Sequence, residues 1–181
     1  QPMVETVHGT IVECNTAYPG ERNTTDAHRR TMIKHGWSKL FNVDILDAEG
    51  PDLELPIPNG KRIQKNLVGK DIKNYDSMLV LSHFKGHPMG GFGGALKQLS
   101  IGCASSAGKA NIHGAGKPEE MWTTEQNAFL ESMADAAESV VKLFDGKIVY
   151  INVMKNMSVD CDCCAVAEDP CMKDIGILAS L

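Results

Sequence analysis

Four of the chain's six cysteines fall in SVDCDCCAVAEDPC, residues 158–171, spaced Cys161-x-Cys163-Cys164 and then Cys171. A C-x-C pair can direct two thiolates at one soft metal ion, so an iron–sulfur cluster or a divalent metal such as zinc is the chemistry this spacing suggests. Zinc ribbons and bacterial ferredoxins use C-x-x-C pairs instead, and none occurs here. Asp160, Asp162, Glu168 and Asp169 surround the thiols with negative charge. That charge disfavours a thiolate nucleophile unless a cation sits beside it. A loop of idle reduced thiols and a redox-exchanging loop stay open as alternatives. Cys103, in the apolar SIGCAS, reads as a small core residue.

The second group is SHFKGHPMGGFGGALKQL, starting at Ser82. Gly90, Gly91, Gly93 and Gly94 allow tight turns and close approach of a ligand, and a helix over GALKQL would turn its first amides toward an anion. Lys85 and Lys97 add positive charge, while His83 and His87 are candidates for proton transfer. The spacing matches neither G-x-G-x-x-G before a helix nor the P-loop. His113, in KANIHGAG, begins another polar loop able to reach the same place. His8, His28 and His35 read as surface residues.

These groups need elements to position them. GTIVEC (9–14) reads as a buried strand ending at Cys14, followed by a turn-rich loop. A helix is expected next, capped by Thr24 or Thr25, with Asp26 at its positive end and Gly36 closing it. FNVDILD (41–47) supplies a strand. Residues 53–66 read as an inserted hairpin around Asn59-Gly60, a pair that favours a type I′ turn, with Pro56 and Pro58 confining its first run to a sheet edge. DSMLVLSHF (76–84) is continuously apolar at its centre, as in a strand covered on both faces. A long helix carries Phe129, Met133, Ala136, Val140 and Phe144 on one face, with Thr123 and Gln126 as its capping box and Asp145-Gly146 as its stop. KIVYINVM (147–154) is the last strand before the cysteine-rich loop. Strands alternating with helices predict an α/β fold with a mostly parallel sheet, flanking helices and a small inserted hairpin. The three chemical groups would then share the carboxyl edge of the sheet, where such folds collect ligands.

Bulk properties narrow the function classes. At 181 residues and 43% hydrophobic content the chain fits one α/β domain, residues 1–181, that needs no disulfide staples. Its cysteine usage fits a reducing cytoplasm. With 18 basic against 23 acidic residues and no basic stripe, nucleic acid is not an expected partner. No apolar run approaches the ~20 residues that cross a bilayer, so no membrane association is expected. Gln1 in place of an initiator Met and a final strand-like DIGILASL suggest a fragment of a longer protein.

VECNTAYPGERNTTDAH, LSHFKGHPMGGFGGALKQLSIGCASSAGKANIH and VDCDCCAVAEDPCMKDIGILASL, in that order and across nearly the whole chain, resemble an uncharacterised family, domain of unknown function 362. Its members often carry an inserted ferredoxin-like module after the position of His113, where this chain has GKPEEMWTTEQ. The resemblance covers Asp160 to Cys163, Cys14 and the His83-x-Lys85-x-His87 segment, and it does not extend to Cys164 or Cys171. It implies Cys14, Cys161 and Cys163 as the working thiols; the expected metal site is Cys161 and Cys163, with Cys14 as a further candidate and His83 or His113 completing it. The leading expectation is therefore a cytoplasmic metal- or iron–sulfur-binding α/β domain with a redox link. Two alternatives stand beside it. One is an enzyme for a small anionic substrate, held by the glycine-rich loop 86–97 with histidine and lysine acid–base groups; the other is a non-catalytic partner-binding module.

Overall fold

The computed structural model describes residues 2–161 and 169–181. In chain order these form helix α1 (Pro2–Thr6), strand β1 (Ile11–Glu13), helices α2 (Thr25–Lys34) and α3 (Trp37–Leu40), and strands β2 (Val43–Ile45), β3 (Leu53–Pro56) and β4 (Lys65–Val68). After a 3₁₀ turn at Lys70–Asn74 come β5 (Met78–His83), β6 (Lys85–His87), β7 (Gly91–Gly93) and a short helix α4 (Ala95–Lys97) that runs on as a π turn, Gln98–Gly102. Helix α5 (Ser106–His113), a 3₁₀ turn at Pro118–Glu120, helix α6 (Gln126–Phe144) and strands β8 (Ile148–Met154) and β9 (Gly176–Ser180) complete the order.

The fold is α/β, but its sheets are small and mixed in direction where one mostly parallel sheet was expected. Connection length explains the mixture. β5 and β8 pair in parallel because helices α4 to α6 intervene and return the chain to the same end. β1 and β2 are also parallel, joined through α2 and α3. β6 with β7, β3 with β4, and β8 with β9 are antiparallel, the first two as local hairpins. The turn inside β3–β4 differs from the expected type I′. Gly60 donates its amide to the Ile57 carbonyl, which makes Pro58 and Asn59 the central residues. Neither Asn59 nor Gly60 has a positive φ. Proline at the first central position suits an ordinary turn and excludes the primed one.

Thr24 caps α2 by accepting the Ala27 amide, and Gly36 follows the helix with φ 78°. The cap of α6 is a correction: Glu125 accepts the Ala128 amide, while Thr123 and Thr124 donate their hydroxyls to the Glu120 carbonyl. The preceding 3₁₀ turn occupies the threonines, so the nearest free acceptor takes the cap. The apolar stripe of α6 joins two cores. Ala137, Val140 and Phe144 pack with Val80 and Ile148 of the β5–β8 pair, and Phe129, Met133 and Ala136 pack with Ile57, Ile101 and Ile112. Among the described residues no helix is long and apolar enough to cross a membrane.

Candidate functional site

The site starts with β6. In a strand, residues two apart face the same way, so Lys85 and His87 project together and Gly86 presents its backbone to the other side. Ser158 and Val159 pass along that other side, and two residues on Cys161 reaches Lys85. The Gly86 amide donates to the Ser158 carbonyl at 2.8 Å, and a Cβ on Gly86 would lie 1.5 Å from the Val159 oxygen. Only glycine permits this approach. The consequence is the placement of Cys161, whose sulfur, on a residue 4% exposed, accepts a hydrogen bond from the Lys85 ammonium at 3.3 Å. Lys97, at the end of α4, donates to the same sulfur at 3.7 Å. Lys85 is itself only 8% exposed, and among the described residues neither ammonium forms an ion pair with a carboxylate.

The glycines of the loop make room for these side chains. Gly93 lies opposite Lys85 in the β6–β7 ladder, and a Cβ there would stand 3.0 Å from the ammonium. Gly90 donates its amide to His87 Nδ1 at 2.9 Å, and Gly91 turns the hairpin with φ 74°. Gly94 leaves space for Asn152 of β8, whose side-chain oxygen accepts the Ala95 amide at 3.1 Å. That bond occupies the helix start expected to face an anion. Ser82 of β5 donates to Gln98 at 2.8 Å, so α4 is pinned to both central strands and Lys97 is held over Cys161.

Two imidazoles join the group. His87 and His113 both stack on the fully buried Phe129, with centroids 6.4 and 4.9 Å away. Burial, with the Lys97 ammonium nearby, lowers the His87 pKa to about 4 although Cys161 opposes the shift. Burial also lowers His113, against the pull of its bond to the Lys109 carbonyl at 2.7 Å. Both rings are therefore neutral at neutral pH. The fields of Lys97, Cys161, Lys85 and His113 all act on His87, which makes that ring the centre of the group.

The remaining expected site residues belong to other elements or lie outside the described residues. His83 belongs to β5, on the strand face opposite Ser82, and its Nε2 lies 2.8 Å from the Lys155 carbonyl. Cys163 and Cys164 lie outside the described residues, and Cys171 is exposed. Cys14 belongs to a second group: its thiol donates to the Cys103 carbonyl at 3.4 Å, and burial pushes its pKa up. Burial raises the Cys103 thiol to about 12. Lys109, buried beside them, donates to the Ala104 carbonyl at 2.6 Å, and burial lowers its pKa. Asp47 accepts the amides of Asn15 and Ser106, both at 2.9 Å. His28, expected at the surface, is 2% exposed and bonded to Asn15, because α2 packs this face inward.

Among the described residues no three His, Cys, Asp or Glu side chains gather as a metal-holding group. Phe129 and Asn152 were not anticipated as site residues, and Gly86 only as the first residue of the glycine-rich loop 86–97. A glycine between two chemically able residues of a strand is the one local signal that could have pointed to Gly86; Phe129 reads as core and Asn152 as an ordinary strand polar residue.

No curated protein matches the chain. The family described as Domain of unknown function (DUF362) matches residues 2–181, and with the whole described site inside that span, the chain belongs to this family.

Proposed function

We propose that the protein binds a small anionic molecule at the Lys85–Lys97–Cys161 group and acts on it, with Cys161 present as a thiolate. One observation carries the reading: a single buried sulfur lies within 3.3 and 3.7 Å of two ammonium groups that have no carboxylate partner among the described residues. Charge bookkeeping supports it. Two cations with limited access to water require anionic company. A thiolate supplies one negative charge, and the neutral rings of His87 and His113 supply none. Among the described residues one positive charge is then left to attract a carboxylate or phosphate from solution.

The competing reading, a metal or iron–sulfur site on Cys161 and Cys163, rests on the C-x-C spacing. The described donors do not fit a bare divalent cation, since two ammonium groups stand beside the Cys161 sulfur and repel it. Calorimetric titration with inorganic phosphate and with acetate tests the proposal. Saturable binding that drops at least about tenfold in both Lys85→Met and Lys97→Met is expected, equivalent to about 1.4 kcal/mol per tenfold step. Binding unchanged in both variants sinks it. Stoichiometric iron or zinc in anaerobically purified protein, lost on Cys161→Ser, would establish the competing reading.

A further inference from the structure

The two imidazoles are locked in opposite tautomers. The partner of His87 Nδ1 is the Gly90 amide, 2.9 Å away, and a backbone amide can only donate. His87 Nδ1 therefore carries the lone pair, and in the neutral ring the proton sits on Nε2. The partner of His113 Nδ1 is the Lys109 carbonyl, 2.7 Å away, and a carbonyl can only accept. His113 Nδ1 carries the proton, and its Nε2 is a bare acceptor. Neither Nε2 has a hydrogen-bond partner among the described residues, and neither is a fully buried unsatisfied atom, so each keeps some contact with solvent. Phe129 underlies both rings, and Lys97 acts electrostatically on each.

We propose that His113 Nε2 is the proton acceptor for the ligand bound between Lys85 and Lys97, and that His87 Nε2–H is a hydrogen-bond donor to the same ligand. This assignment rests on the anion-site reading above. The step is a simple proton transfer: an X–H bond of the ligand breaks, an N–H bond forms at His113 Nε2, and the electron pair stays on X. The charge left on X lies among two ammonium groups and the His87 N–H. The imidazolium formed on His113 keeps its Nδ1–H bond to the Lys109 carbonyl, a bond that strengthens as the ring becomes cationic. Backbone groups, rather than side chains, hold both tautomers, so the division of roles is built into the fold before any ligand arrives. The ligand class is thereby narrowed to small anions that also carry a proton they can release.

Long-range ¹H–¹⁵N correlation of the imidazoles in the intact chain at neutral pH, before and after adding inorganic phosphate, tests this. Resonances are assigned from His87→Asn and His113→Asn, or through the ring-to-Cβ connectivity if either variant does not fold. The expected result is a proton on Nε2 of His87 and on Nδ1 of His113, with phosphate shifting the Nε2 signals of both. A proton on His113 Nε2, or a doubly protonated His113, overturns the inference and leaves phosphate binding untouched. Correct tautomers with no response to phosphate overturn the anion site and the assigned roles with it.

Discussion

Two groups in this molecule contain the same ingredients, a buried lysine and a buried cysteine, and arrange them to opposite effect. In the group at β6 the ammonium of Lys85 donates directly to the sulfur of Cys161. In the group at the start of α5 the ammonium of Lys109 donates to the Ala104 carbonyl, and the Cys14 thiol donates to another carbonyl. Backbone oxygens satisfy the second group internally, so its thiol stays protonated and its lysine holds the chain where α5 begins. In the first group the described partner of both the Lys85 and the Lys97 ammonium is the Cys161 sulfur, not a backbone oxygen. The comparison teaches that the acceptor facing the ammonium, more than the presence of lysine and cysteine, separates the two groups, and it is the ground for proposing reactivity in the first alone.

The largest effect that would break the comparison comes from Gly86→Val. The added carbons collide with the Val159 backbone, which cannot yield as a side-chain tip can. A stability loss of about 3 kcal/mol in urea unfolding is expected, with loss of phosphate binding, while the Cys14 group keeps its structure. A variant of wild-type stability that still binds phosphate would contradict the role given to this glycine.

Acid should weaken both groups. His28 in one group and His87 in the other have pKa values lowered to about 4, each chiefly by burial. Between pH 6.5 and about 4 the unfolded chain binds protons that the folded chain does not. Stability is therefore fully present above pH 6.5 and falls as pH drops toward 4, by at most about 3.4 kcal/mol for each ring. His28→Gln and His87→Gln should each remove part of that slope. An unchanged slope in both would show that the rings are not held neutral by the fold.

The smallest change in stability, and the sharpest test of the difference, comes from Lys85→Met against Lys109→Met. Methionine keeps most of the apolar stem, and the Cys161 sulfur can take up a proton once Lys85 is gone, so each variant should stay within about 2 kcal/mol of the parent. Thiolate absorbance near neutral pH should fall in the first and not in the second. Equal losses in both would make the two groups equivalent.

Much of the frame was legible because it depends on local patterns. The stripe Phe129, Met133, Ala136, Val140, Phe144 is buried as its spacing requires, and Cys103 is a core residue. Thr24, Gly36 and the Asp145-Gly146 stop act where their chemistry suits a helix end. The helix start at Glu125 was misread because Thr123 and Thr124 had nearer partners in the preceding turn. The mixed sheets were hidden for a related reason: strand direction depends on what the chain does between strands.

By itself, the sequence determined the inventory of chemical groups, the helix faces and the strands that carry them, since 3.6-residue and two-residue periodicities are local properties. Which groups meet was decided only by the tertiary structure. His83, Lys85 and His87 alternate as if on one strand face, yet the chain passes from β5 to β6 at Phe84, and His83 is left beside Lys155 while the other two face Cys161. Lys85 and Cys161 are 76 residues apart. No local pattern records that distance being closed; the bare backbone of Gly86 and the parallel pairing of β5 with β8 close it, because together they let a distant segment lie against a strand with nothing between them.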